Sequence, residues 1–525
     1  MAYSGLSLEG KPRMLGIRES SVAGNLSTDY DLAIIGGGIN GVGIARDAAG
    51  RGLRVLLVEQ NDLASGTSSA STKLIHGGLR YLEHFAFKLV HEALLEREVL
   101  LKLAPHIIWP LRFVLPQMPG MRSIFKLRIG LFIYDHLGGR KILPGTKTLD
   151  LTHHIVGQPL KRIFRYGLEY SDCWVNDARL VVLNALGAAE RGAHIRTRTK
   201  CVRAERDEIW RLVLNARGRR ESVTARALVN AAGPWVGDVA ETVLRQEGPF
   251  RVRLVKGSHI VVPKLFDHDR AYIFQNKDGR IVFAIPYEEK FTLIGTTDQD
   301  FKGDLAAIAP SAAEVKYLCE SVLGYFRQAI TPEDVVHAYA GVRSLYDDGS
   351  GKPEKATRDY HLDLAEGFRE APLLTIYGGK ITTYRKLAEA ALAKLQHFFD
   401  MKPAWTRDDP LPGGDFPYTG VEALVSKSRR QWPFLSEHHA YRLVRAYGTR
   451  IDTVLGAAKS MSDLGANFGA DLTEAEVRYL VQHEWAHDAE DVLWRRSKLG
   501  LHVGPDDRAR LAAFMTQARG LSAAE

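Results

Sequence analysis

The sequence predicts an α/β fold: a parallel-sheet domain, an antiparallel sheet inserted into it, and a helical C-terminal region. Three observations carry this. Residues 31–59 read DLAIIGGGINGVGIARDAAGRGLRVLLVE, two apolar β-branched runs around a glycine turn and a helical stretch. Residues 251–295 hold alternating runs separated by turns such as Lys277-Asp278-Gly279. After the linker marked by Pro403, Pro410, Pro412, Gly413 and Gly414, helical composition dominates.

The first stretch carries the chemistry. Leu32 to Ile35 reads as a buried strand, Val42 to Ala49 as a helix stopped by Gly50 and Gly52, and Leu53 to Val58 as a second buried strand. Gly36, Gly38 and Gly41 fall as G-x-G-x-x-G. Gly36 allows the turn, Gly38 leaves room for a pyrophosphate at the helix N-terminus, and Gly41 lets helix and strand pack closely. Glu59 ends the second strand with a carboxylate suited to ribose hydroxyls, which argues against a 2′-phosphorylated dinucleotide. Framed this way, the fingerprint marks a Rossmann-like dinucleotide-binding unit.

A chain of 525 residues exceeds one core. A hydrophobic content of 45% and a charged content of 25% are ordinary for a soluble protein. Net charge of +8 suits an anionic partner: nucleic acid, a phosphorylated substrate or an anionic membrane surface. No nucleic-acid-binding motif supports the first. Three separated cysteines, Cys173, Cys201 and Cys319, suggest a reducing compartment. No apolar stretch reaches the ~20 residues that span a bilayer. Residues 1–28 lack a signal-peptide core and read as a loose arm.

Residues 61–82 crowd Thr67, Ser68, Ser69, Ser71 and Thr72 beside Lys73. The stretch ends in Leu74-Ile75, His76, Gly77-Gly78, Arg80 and Tyr81, an unusual set for a solvated loop, and is expected to line a cofactor pocket. Glu83 to Leu103 has helical spacing, Pro105 ends it, and Trp109 to Leu115 reads as a strand leaving the cofactor domain. Met121 to Leu137 has two readings: a buried helix with snorkelling cations, or a helix that dips into a membrane surface. Its layout is not cleanly amphipathic, which favours the buried reading.

Leu180 to Arg191 reads as a helix, and His194 to Arg203 as a strand. Leu228 to Asn230 is a short buried strand before Gly233, where backbone can approach a ligand. Arg251 to Val262 reads as strand–turn–strand bearing His259. Leu373 to Lys386 reads as strand, glycine turn, helix, with Gly378, Gly379 and Lys380 in the turn. His483-Glu484-Trp485-Ala486-His487 is a formal zinc motif, but no third ligand follows and no metal is expected.

Three segments, IIGGGINGVGIARDAAGRGL, DLASGTSSASTKLIHGGLRYLE and IYGGKITTYRKLAE, resemble the FAD-dependent glycerol-3-phosphate dehydrogenase family, within the D-amino acid oxidase-like flavoenzymes. The resemblance spans about residues 29–510. It implies an FAD-binding Rossmann-like domain with an inserted antiparallel-sheet substrate domain and a C-terminal helical cap. The expected boundaries are an arm at 1–28, an FAD-binding domain at 29–110, 165–250 and 335–398, a substrate domain at 111–164 and 251–334, and the cap at 399–525.

The resemblance implies that Gly36, Gly38, Asn40, Gly41, Glu59, Thr67, Ser68, Ser71, Lys73, Ile75, His76 and Gly78 bind FAD. Gly233 and the turn Gly378, Gly379, Lys380, Ile381 and Thr382 complete that set. It implies that Arg80, Arg343, Arg358 and Lys380 hold the phosphate of glycerol 3-phosphate and that Tyr81 orients the substrate. His259, with an ordinary pKa near ~6.5, is the expected base, and His76 second to it. Ser344 stands where the family usually has proline, a departure that bears on the local backbone. A respiratory quinone as acceptor, peripheral attachment to the inner face of the cytoplasmic membrane, and a homodimer also follow from the resemblance. The alternatives are a soluble oxidase producing hydrogen peroxide, a dehydrogenase of another polyol phosphate, and a non-catalytic FAD-binding protein.

Overall fold

The computed structural model describes residues 28–118, 123–247, 252–347 and 359–522. All of the expected arm except Thr28 lies outside them, as do Met121, Arg122 and Arg358.

The first sheet follows from the apolar runs. Strand β1 (Tyr30–Ile35) pairs in parallel with β2 (Val55–Val58), and helix α1 (Ile39–Gly50) connects them. On its other side β1 pairs in parallel with the end of Arg219–Asn230, which pairs in parallel with Glu370–Tyr377. The middle strands are buried on both faces, so their side chains form a continuous apolar layer. Helix α1 packs against the helices Asp177–Ala189 and Tyr384–Leu395.

Among the described residues the second sheet has ten strands. Val252–Pro263 is one continuous strand, not the expected strand–turn–strand. The reason is its partner His337–Tyr346, in register from Val252 opposite Tyr346 to Val261 opposite His337. Gly257 sits mid-strand because a Cβ there would lie 2.6 Å from Thr296 Oγ1. Glycine inside a strand here marks a close approach, not a reversal.

Sheet membership also cuts across the expected boundaries. Tyr166–Val175 and His337–Tyr346, assigned to the cofactor domain, are strands of the second sheet. Both carry the chain between the two sheets, where pairing with Ile108–Pro116 and Val252–Pro263 holds them.

Helix α2 (Phe87–Leu103) packs on α3 (Ile124–Leu137). The buried-helix expectation fails for α3. Leu131 and Tyr134 are buried, while Phe125, Ile129 and Phe132 are 69%, 47% and 63% exposed. The 14-residue helix packs along one face, and Phe125, Ile129, Phe132 and Ile133 meet solvent on the other. No helix among the described residues is long and apolar enough to cross a membrane.

The C-terminal region is helical around its own core, including Trp432, Tyr447, Leu480 and Leu511. The zinc-like motif does not form one helical face. The helix Glu474–Glu484 ends before Trp485, which takes φ of +55°, so His487 lies beyond it. Glu484 is buried and accepts from the Arg179 guanidinium.

Candidate active site

The glycine turn after β1 does three separate things. Gly36 has φ of +117°, and a Cβ there would lie 2.5 Å from the Ala231 carbonyl oxygen. A Cβ on Gly41 would lie 2.0 Å from the Gly36 carbonyl oxygen, so α1 can meet the turn only through a glycine. Gly38 differs. It is extended, and a Cβ would meet only Ser68 Oγ at 3.3 Å, so its glycine leaves one wall of the cavity open.

Glu59 stands at the end of β2 beside this turn. Its Oε2 accepts from the Gly37 amide at 2.7 Å and its Oε1 from the Asn61 amide at 2.8 Å. Burial raises its pKa. Each carboxylate oxygen keeps a lone pair for a further donor. Across the cavity, Asn40 Nδ2 donates to the Gly378 carbonyl at 3.1 Å. That bond ties the start of α1 to the turn Gly378 (φ +72°) and Gly379 (φ +96°). Lys380, Ile381 and Thr382 complete this wall, and Thr382 Oγ1 accepts from the His76 amide at 3.3 Å.

A cavity of about 950 Å³ runs from this cradle to the second sheet. Most of the sequence-predicted residues line it: Thr67, Ser68 and Ser71 on one loop, His76, Gly78, Arg80 and Tyr81 further along, and Gly233 opposite. Three do not. Gly41 lies behind the turn. Ile75 belongs to the apolar core. Lys73 points away from the cavity into a buried ion pair, its Nζ 2.8 Å and 2.9 Å from the two Asp177 oxygens.

The far end of the cavity is cationic. Arg343 lies across Gly257, with Nη2 3.6 Å from Asp298 Oδ1. Lys380 Nζ stands 4.1 Å over the Tyr81 ring. Gly78, at φ +77°, faces the same ring, where a Cβ would lie 2.3 Å from Tyr81 Cδ2.

His259 is buried among them. Its Nε2 lies 2.9 Å from Thr72 Oγ1, and its ring stacks on Tyr339 at 4.9 Å. Its Nδ1 has no hydrogen-bond partner among the described residues. Burial, with Lys73 and Arg343 nearby, pushes its pKa down to about 3, so the expected ordinary value does not hold. The imidazole is neutral at working pH. Burial also lowers the pKa of His76. The strand under His259 is fixed by Glu314, whose Oε1 accepts from Ser258 and Thr297 at 2.9 Å each. Desolvation opposes the charged form of Glu314, but Lys256 and these donors outweigh it and hold its pKa down at about 2.

Sequence reasoning placed Thr72 on the pocket loop but not against His259, and it missed Asp177, Asp298 and Tyr339. Only Asp177 left a signal, an acidic residue at the first position of a helix beside a hydroxyl-rich loop's lysine in space. Tyr339 meets His259 through strand register, and Thr72 and Asp298 reach His259 and Arg343 from loops distant in the chain, which spacing does not reveal.

Residues 31–385 match the FAD dependent oxidoreductase family, and residues 404–525 match the C-terminal domain of alpha-glycerophosphate oxidase. The chain is 54% identical over 493 residues to a glycerol-3-phosphate dehydrogenase of Pseudomonas aeruginosa, covering 93% of this chain and 96% of that one. It is 51% identical over 492 residues to a D-erythritol 1-phosphate dehydrogenase of Brucella abortus, covering 93% and 98%. Among solved structures, a glycerol-3-phosphate dehydrogenase from Bacillus halodurans complexed with FAD superposes with a TM-score of 0.73 at 28% identity, covering 90% of this chain and 86% of that one. A glycine cradle joined to a cationic pocket, and likeness over nearly the whole length, lead to one conclusion: the chain belongs to the FAD-dependent glycerol-3-phosphate dehydrogenase family.

Proposed function

We propose that this protein oxidises sn-glycerol 3-phosphate to dihydroxyacetone phosphate and passes the electrons to a respiratory quinone. The observation that carries the reading is the single cavity joining the dinucleotide cradle to Arg80, Arg343, Lys380 and His259. The residues of the cradle fit FAD: an open helix N-terminus at Gly38 for the pyrophosphate, Glu59 for the ribose, and the Gly378–Thr382 turn with His76 for the ring system. FAD, when bound, supplies the hydride acceptor.

The chain's own residues do the rest. Arg343 and Arg80 offer guanidinium forks to a phosphate, and Lys380 a point charge. Tyr81, held by Gly78 and Lys380, orients the substrate. His259 accepts the hydroxyl proton. Its neutral state keeps a lone pair available, and an incoming phosphate dianion offsets the cations that lower its basicity. Arg358 remains a phosphate candidate from the family resemblance.

A second reading is oxidation of a longer polyol phosphate, favoured by the 51% identity to the D-erythritol 1-phosphate dehydrogenase. The exposed Phe125, Ile129 and Phe132 of α3 beside Lys126 and Arg128, with Phe85 79% exposed, support peripheral docking on an anionic membrane face. Anaerobic mixing with a panel of phosphorylated polyols tests the proposal. Glycerol 3-phosphate should bleach the flavin fastest and quinone should restore the colour faster than oxygen. Faster bleaching by erythritol phosphate favours the second reading, and no bleaching by any of them overturns both.

A further inference from the structure

Lys498 belongs to the C-terminal region, yet it is buried against the loop that carries Thr72. Its backbone takes φ of +65° and its side chain is buried. Its Nζ donates to the Trp494 carbonyl at 2.6 Å and stands 4.0 Å from Asp177 Oδ1. Asp177 begins a helix in the first domain. It accepts from Lys73 Nζ and, at 2.8 Å, from Ser71 Oγ. Lys73 Nζ also donates to the Ser69 carbonyl at 3.0 Å, so the loop 69–73 is tied to Asp177 through Ser71 and Lys73 and closed on itself at Ser69.

Both neighbours of His259 hang on this loop. Thr72 is part of it and lies 2.9 Å from His259 Nε2. Tyr339, which stacks on the imidazole, donates its hydroxyl to the Ser71 carbonyl at 2.9 Å. A run of contacts therefore joins a lysine of the helical cap to the imidazole at the reacting end of the cavity.

We infer that Lys498 is a positioning residue: through Asp177 and the loop 69–73 it fixes Thr72 and thereby the orientation of His259. Asp177 lies between two lysines. Without Lys498 the aspartate is drawn wholly to Lys73, and the loop is free to shift with it. The groups facing Lys498 are Lys73, Asp177, Glu288, His337 and Arg495. Burial pushes Glu288 up to about 7 and Lys498 down to about 7. Loss of the ammonium removes one of the charges that favour the ionised form of Glu288. The inference rests on the reading of His259 as proton acceptor.

The test is the anaerobic rate of flavin bleaching by glycerol 3-phosphate in FAD-loaded enzyme. Lys498→Met should bleach about tenfold more slowly, the scale of a coupling through packed and ionic contacts. Its substrate affinity should stay within about twofold, because only positioning for the chemical step is lost. Lys498→Arg should recover most of the rate by restoring the charge. Thr72→Val should also be slow, and Lys498→Met added to it should slow it no further, the signature of residues acting along one route. If Lys498→Met does not fold, Lys498→Gln, which keeps a donor for Trp494, takes its place. A Lys498→Met enzyme that bleaches at the wild-type rate while His259→Gln is slow, or losses that multiply in the Thr72→Val double variant, overturns the inference alone. A His259→Gln enzyme that bleaches at the wild-type rate overturns the reading of His259 together with it.

Discussion

The two ends of the cavity are built by different means. The start of the cradle is local: β1, the glycine turn, α1 and Glu59 all lie within residues 30–59, and its far wall, the Gly378–Thr382 turn, comes from elsewhere in the chain. The cationic end is assembled from Arg80, His259, Arg343 and Lys380, which lie far apart in the chain and meet through strand register and glycine turns. The cradle relies on the absence of side chains, and the cationic end on side chains held by others. A change in the first should act on cofactor alone, and a change in the second should spread through its supports.

The sharpest break of that comparison is Gly38→Val. The extended backbone there suits valine, and its Cβ would meet only Ser68 Oγ. The apoprotein should fold and melt normally yet come off the column colourless. Full FAD occupancy in that variant removes the pyrophosphate from this wall.

The assembled end should suffer from a substitution outside the cavity. Glu484→Gln leaves Arg179 buried without its carboxylate, on the helix that begins with Asp177. Breaking such a pair costs about 3–5 kcal/mol. Denaturant unfolding reads the loss. His483→Ala, one residue before Glu484 on the helix Glu474–Glu484, should leave melting and activity unchanged, because His483 takes no part in that pair. Equal losses from the two would return the formal zinc motif to consideration.

Acid should separate the ends too. His259 is held at about 3 and His268 and His337 at about 4, with burial the largest cause in each, and all three lie in or beside the second sheet. Their folded pKa values lie below the unfolded one. Stability is therefore full above about pH 6.5 and is lost as pH falls toward 4, because the unfolded chain takes up protons first. Each group contributes up to about 1.4 kcal/mol per pH unit in that window. Amide exchange should show the second sheet loosening before the first. Uniform loosening, or none between pH 7 and 4.5, contradicts this.

The smallest effect concerns docking. Lys126→Glu with Arg128→Glu should weaken pelleting with anionic vesicles by about 1 kcal/mol per cation removed, and salt should mimic the change. Phe132→Ser should weaken binding at every salt concentration. Insensitivity to both places the docking face elsewhere.

How much of this was legible follows from the same contrast. The cradle could be read from spacing because its constraints act between near neighbours: a turn, a close approach, a helix start. The helical C-terminal region was legible from composition. The supports of His259 were not, because Thr72 meets it across 187 residues and Tyr339 reaches it only through register. Lys73 misled because a lysine beside hydroxyls reads as a ligand-binding group until a buried aspartate is found to hold it. Gly257 misled because its glycine answers a side chain from another strand, and α3 because its sequence does not say how much of it a neighbour covers.

The central claim is that the cationic end binds a substrate phosphate. Flavin reduction by glycerol 3-phosphate and by glycerol, compared in wild type and Arg343→Ala, tests it most directly. A charged hydrogen bond held out of water contributes ~1.5–3 kcal/mol, so kcat/KM for glycerol 3-phosphate should fall roughly 10- to 150-fold with FAD still bound. Glycerol should be a poor substrate for wild type and lose little more in the variant. Arg343→Lys should restore only part, because an ammonium lacks the fork. An equal decline for glycerol and glycerol 3-phosphate would contradict the account.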